Sequence, residues 1–123
     1  MIEIRITTEA ALSMLLERMK FELRQRQRAG LMMKELRLED LSYKELFSVV
    51  EASVFDTIFL MPVELITHQT NLTSIITDTV RSLARIYKRE EFALFTNKRA
   101  VKLIEPIVKY FARIGGAKDF QNN

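Results

Sequence analysis

The sequence predicts a mainly α-helical fold, a compact bundle of four to five helices with a short N-terminal β-strand or, at most, a small two-stranded β element. Three observations predict it. In four separate segments apolar residues recur at alternating steps of three and four, which places them on one face of a helix. Only three glycines and two prolines punctuate the 123 residues, too few for an all-β fold, which needs a turn about every 8–12 residues. Finally, 48% of the positions are hydrophobic, enough in a chain of this length for one core and too little for two. The expectation is therefore a single domain over residues 1–123, able to fold without a metal or disulfide.

Ile2, Ile4 and Ile6 alternate with Glu3 and Arg5, the period of a strand, over residues 2–6. Thr7 or Thr8 then offers an N-cap, with Glu9 in the first turn where the helix dipole favours negative charge. Leu12, Leu16, Met19 and Leu23 form the apolar stripe of a helix ending near Ala29-Gly30. Residues 31–41 are ambiguous: Leu36-Arg37-Leu38 extends as a second strand or runs irregularly. Two strands joined by one helix would lie parallel, a weak pairing with only two members, so the partner of the first strand is expected from a second copy of the chain.

Ser42 and Glu45 make an S-x-x-E capping box, with Leu41 and Leu46 placed to staple across it. The helix that follows shows Tyr43, Phe47, Val50 and Val54 on one side and should end before Pro62. A connector from Pro62 to about Thr70 leads to Asn71, the cap of a helix with Leu72, Ile76, Thr79, Leu83 and Ile86 in register. Lys88-Arg89-Glu90-Glu91 reads as a charged break, and Phe92, Leu94 and Phe95 as a brief helical turn. Thr96 or Asn97 caps the last helix, with Val101, Ile104, Val108 and Phe111 on its apolar side. Pro106 should kink that helix or begin a new segment, Gly115-Gly116 should stop it, and residues 117–123 read as a frayed tail.

Composition narrows the function. The chain has no cysteine, which excludes disulfides, thiolate ligands and a cysteine nucleophile. The N-terminus lacks the apolar run of a secretory signal, and the longest apolar stretch, Val49 to Ile66, is broken by Glu51, Asp56, Pro62 and Glu64. A cytoplasmic protein with no membrane partner is expected. The net charge of +3 is unevenly spread: residues 1–30 carry +2, residues 31–80 carry −5 and residues 81–123 carry +6.

No constellation suggests catalysis. The one histidine, His68, has only Glu64 nearby as an orienting acid. The adjacent pairs Glu39-Asp40 and Glu90-Glu91 diverge on a helix and do not converge on one ion. No glycine-rich phosphate loop is present, Asn71-Leu72-Thr73 is a bare glycosylation triplet, and no cofactor or small-molecule substrate is indicated.

Two basic regions and one polar stripe remain. Arg24, Arg26 and Arg28 close the first helix and could grip phosphates, although the negative end of the helix dipole alone accounts for their position. Lys98, Arg99, Lys102, Lys109 and Arg113, with Arg81, Arg85, Lys88 and Arg89 before them, are interleaved with Tyr87, Phe92, Phe95, Tyr110 and Phe111. Charge interleaved with rings is the pattern of a single-stranded nucleic-acid groove. Thr70, Thr73, Ser74 and Thr77 form an uncharged polar stripe opposite the apolar face of the third helix, the composition of an interface core or of plain surface. The expectation is a non-enzymatic protein-interaction module that self-associates through Ile2, Ile4, Ile6 and this stripe, serving as a small adaptor, assembly or regulatory subunit. The alternative is a nucleic-acid-binding protein using the two basic regions.

Overall fold

The computed structural model describes residues 6–29, 37–67 and 71–122. Five α-helices follow one another: α1 (Thr8–Ala29), α2 (Tyr43–Phe59), α3 (Val63–Thr67), α4 (Leu72–Tyr87) and α5 (Asn97–Asn122). Short 3₁₀ turns at Leu38–Asp40 and Glu90–Leu94 precede α2 and α5. α1 packs on α2 and α4, and α5 packs on the other side of both, which closes a ring of four helices around one core. Arg18 reaches Asp56 and Arg26 reaches Ser48, so α1 and α2 run antiparallel. Arg99 meets Glu51 while Tyr110 meets Phe59, so α2 and α5 run parallel.

The helix starts follow local chemistry. Thr7 Oγ1 accepts from the Ala10 amide at 3.1 Å and Thr96 Oγ1 from the Arg99 amide at 3.2 Å, one cap for each of α1 and α5. At α2 both halves of the capping box form: Ser42 Oγ accepts from the Glu45 amide at 3.2 Å and Glu45 Oε1 from the Ser42 amide at 3.4 Å. Leu41 and Leu46, the expected staple, both enter the core. α2 ends at Phe59, three residues before Pro62, as the proline requires.

Leu15 and Met19 of α1, Val50, Val54 and Ile58 of α2, Ile76, Val80 and Leu83 of α4, and Ile104 and Ile107 of α5 fill the centre of the ring. Phe92 and Phe95, both 0% exposed, seal it from the α4–α5 connector. Ser53, Thr57, Thr77 and Thr79 are buried among them, and each hydroxyl donates to the carbonyl four residues earlier at 2.6–2.8 Å. This back-bonding satisfies each hydroxyl within its own helix, so burial leaves none of these four hydroxyls unpaired.

Several expectations need correction. The strand over residues 2–6 lies outside the described residues except for Ile6, which is half-buried against the core, and no strand occurs among the described residues. A two-stranded element through Leu36 likewise falls partly outside them, and Leu38 sits in a 3₁₀ turn. The stretch after Pro62 is not a plain connector, since Val63–Thr67 forms α3 and buries Ile66. In α1 the most buried stripe is Ala11, Leu15 and Met19, with Leu12, Leu16 and Leu23 along its flank. Two neighbours, α2 and α4, cover a wider arc than one, and the small Ala11 is admitted where helices meet. Tyr43, Ile86 and Val101 are exposed rather than core, being the outermost members of their stripes.

Asn71 does stand at the N-cap of α4, but its side chain makes no capping bond. Gly115-Gly116 does not end α5, which continues to Asn122 through both the glycine pair and Pro106. Glycine costs a helix about 1 kcal/mol relative to alanine and so weakens it without forbidding it. Proline removes one amide donor and crowds the preceding turn, yet α5 continues past it for sixteen residues. Lys88, not a glycine, takes the left-handed conformation that terminates α4 (φ 53°, ψ 41°). No helix among the described residues is long and apolar enough to cross a membrane.

Candidate interaction surface

Where α2 ends, the ring of helices leaves a group of aromatic side chains uncovered. Phe55 and Phe59 lie one helical turn apart and stack with centroids 6.0 Å apart at 21°. Phe59 also meets Tyr110 at 5.7 Å and Phe111 at 5.5 Å across the α2–α5 seam. Phe111 is half-buried, but Phe55, Phe59 and Tyr110 stay 40%, 43% and 46% exposed and Leu60 is 61% exposed. On the α1 side Phe21, 42% exposed, faces an open groove of about 560 Å³ shared with Met14, Arg18, Arg24 and Leu60. Arg18, Phe55, Asp56, Phe59 and Leu60 together line the adjoining depression. The surface therefore runs without a break from α1 across α2 to α5.

A charged seam underlies it. Arg18 Nη2 donates to Asp56 Oδ2 at 3.2 Å while its guanidinium lies 4.5 Å from the centre of the Phe21 ring. One cation thus fixes an acid of α2 and an aromatic ring of α1. Burial, then a hydrogen bond to Asp56 and the Asp56 charge, raises the Glu22 carboxyl above its ordinary pKa, against the opposing pull of Arg26 and Arg18. Arg26 Nη2 donates to Ser48 Oγ at 3.0 Å, and its Nε stands 3.9 Å from Glu22, an ion-pair distance without a hydrogen bond. The Nε atoms of Arg18 and Arg26 are both shielded from water and unpaired, so packing has been favoured over full hydrogen bonding along this seam.

The residues singled out in the sequence separate into distinct places. Arg24 and Arg28 are exposed on one side of α1, whereas Arg26 turns into the α1–α2 seam, so the three do not form one grip. Arg99 leaves the basic set too: it donates to Glu51 Oε1 at 2.6 Å and lies 4.5 Å over the Phe47 ring, with Tyr43 packed behind at 4.8 Å. The bond to Glu51 raises its pKa further, with Tyr43 adding to the effect, and ties α5 to α2. Lys98, Lys102, Lys109 and Arg113 remain exposed on α5. Phe92 and Phe95 are wholly inside and Tyr87 and Phe111 half-buried, so of the five rings expected among these cations Tyr110 alone is exposed.

Of the expected protein interface, Ile2, Ile4 and Thr70 lie outside the described residues, Ile6 packs against its own core, and Thr73 is half-buried. Thr77 is a correction. It is 2% exposed and faces inward, because its hydroxyl is satisfied by the Thr73 carbonyl at 2.8 Å. Of the described members of that stripe, Ser74 alone is exposed. His68 lies outside the described residues. Glu91 is held by Arg89 at 2.6 Å, which lowers its pKa, and no three acidic or histidine side chains converge on a common point among the described residues.

Sequence reasoning missed the aromatic surface, and it placed Arg89 among the basic residues without its bonds to the Leu38 and Leu41 carbonyls. Phe55, Phe59 and Leu60 belong to the apolar run before Pro62, where an uncovered side chain looks the same as a core one. The available signal was excess: α2 carries more large apolar residues than one buried face can take. No protein-family model, curated protein or solved structure matches the chain.

Proposed function

We propose that the protein is a non-catalytic interaction module that self-associates through the surface formed by Phe21, Phe55, Phe59, Leu60 and Tyr110. The observation that carries this reading is the contiguity of four rings and a leucine, each at least 40% exposed, on side chains already ordered by stacking and by the Arg18–Asp56 pair. With about 150–250 Å² per large side chain, the five leave about 450 Å² of apolar surface in water. That is the size of the largest patch on a typical monomer, which is often functional, and more than half of the about 800 Å² that each partner contributes to a standard interface.

A second copy of the chain is the occupant that the charges favour. A two-fold contact brings a patch against itself, so the patch must complement itself. Its centre is neutral because Arg18 and Asp56 pair within one molecule, and α1 brings Glu17 alongside Lys20 and Arg24 at its rim. Aromatic and arginine side chains are also the types that dominate binding energy at interfaces. The protein would serve as a small adaptor, assembly or regulatory subunit in the cytoplasm.

Light scattering over a dilution series tests the reading. Removing the exposed part of Phe59 takes about 2 kcal/mol of apolar burial from each copy, so Phe59→Ala should weaken a symmetric dimer by about 10³-fold. Leu60→Ser, at a side chain 61% exposed, should do likewise without disturbing the core. A strict monomer at every concentration, or dimers that ignore both substitutions, would defeat the proposal.

A further inference from the structure

We propose that the outer face of α5 is a second binding surface, separate from the aromatic one, that takes the phosphate backbone of a double-stranded nucleic acid. At about 100° per residue, Lys98, Lys102, Lys109 and Arg113 fall within an arc of about 60°. The opposite side of the same helix is the core stripe of Ala100, Ile104 and Ile107. All four cations are exposed, and among the described residues only Lys109 has an acidic partner, Glu105 at 3.6 Å, in a pair open to water on both sides. From Lys98 to Arg113 the stripe is about 22 Å long, a span over which duplex DNA presents about a dozen phosphate charges.

The placement works against the stability of the helix. Cations belong at a helix C-terminus, where the dipole is negative, yet the first turn of α5 has no acid and carries Lys98 and Arg99. Arg99 is compensated by Glu51; Lys98 is not. Arg81 adds to the same corner, since its Nε donates to the Phe95 carbonyl at 2.9 Å just before α5 begins. Uncompensated positive charge at the positive end of a dipole is costly in the free protein and is relieved by a polyanion.

Two features select the duplex. A single-stranded groove stacks bases on several exposed rings, but Phe92 and Phe95 are fully buried, and Tyr110, though exposed, falls outside the arc of the four cations and is engaged with Phe59 and Phe111. A bilayer surface would be met by an amphipathic helix whose apolar side inserts, and in α5 that side is committed to the core. What remains is contact with phosphates and no reading of base sequence.

The test is fluorescence anisotropy of labelled DNA and RNA duplexes of mixed sequence with the full-length protein over a series of salt concentrations. Four phosphate contacts give a slope of log K against log salt of about −3 to −4, and Lys98→Ala/Lys102→Ala should reduce its magnitude by about 2. That variant removes the Lys98 charge from the first turn of α5 and, one turn on, the charge of Lys102, which is exposed and has no acidic partner among the described residues, so it should melt no lower than the wild type, and lost binding cannot be ascribed to unfolding. Arg24→Ala/Arg28→Ala on α1 should leave the slope unchanged. The proposal is overturned if neither duplex binds at low salt, if the α1 variant lowers the slope while the α5 variant does not, or if phosphatidylserine vesicles bind and the duplexes do not. None of these outcomes bears on dimerisation through the aromatic surface.

Discussion

Replacing Arg89 with alanine should be one of the most damaging single changes outside the apolar core. Arg89 follows the left-handed Lys88 and turns back across the molecule, where Nη1 donates to the Leu38 carbonyl at 2.9 Å and the Leu41 carbonyl at 2.7 Å while Nη2 donates to Glu91 at 2.6 Å. Its side chain is only 16% exposed, so the two carbonyl bonds are made largely out of water. Each hydrogen bond to a charged group contributes about 1.5–3 kcal/mol, and because the bonds share one guanidinium their loss is less than additive. The Glu91 pair is more open to solvent and adds little. A loss of about 3 kcal/mol is expected for Arg89→Ala. With an m-value of about 2 kcal/mol/M, the urea midpoint should fall by about 1.5 M. Arg89→Lys retains the charge but cannot fork to two carbonyls and a carboxylate, so it should recover less than half of the loss. A midpoint for Arg89→Ala within about 0.2 M of the wild type would show that the clamp contributes nothing.

Two further outcomes follow from the same structure. Because the Glu22 carboxyl has a raised pKa in the fold, its contribution to stability is complete below the ordinary glutamate range and is lost as pH climbs through the raised value; urea midpoints of the wild type should therefore fall relative to Glu22→Gln across that window, and a pH-independent difference between the two would contradict the assignment. Lys88→Gly removes the steric cost of a β-carbon at φ 53° and should raise the stability measured by urea by about 0.5–1 kcal/mol once the greater freedom of unfolded glycine is deducted, whereas a loss would mean that the lysine side chain contributes contacts that outweigh the strain.

The helices were legible because their signals are local. Ser42 and Glu45 specify the start of α2 by themselves, Pro62 limits its end, and Thr96 starts α5, each through bonds spanning a few residues. The α4 stripe of Leu72, Ile76 and Leu83 is also written in one segment. What was not legible depends on neighbours. Whether Phe59 is core or surface is decided by how far α5 and α1 reach over the end of α2, and nothing in α2 encodes that. Arg26 and Arg99 look like surface cations in the sequence, yet Ser48, Glu22 and Glu51 on another helix draw them into seams. The Gly115-Gly116 pair shows a propensity overridden by continuation of the helix already formed. Thr77, read as polar surface, is admitted to the core by a bond to its own backbone, which makes a threonine behave as a valine of similar shape. The basic face of α5 was half legible: the cations were evident, but the separation of Arg99 from Lys98, Lys102, Lys109 and Arg113 required the fold.

The central claim, that Phe55, Phe59, Leu60 and Tyr110 meet their counterparts in a second molecule, is tested most directly by isotope-filtered NMR on an equal mixture of labelled and unlabelled protein. Intermolecular cross-peaks among the rings of Phe55, Phe59 and Tyr110 and the methyl groups of Leu60 are the expected result. Cross-peaks confined to other surfaces, or none at a concentration where scattering reports a dimer, would contradict it.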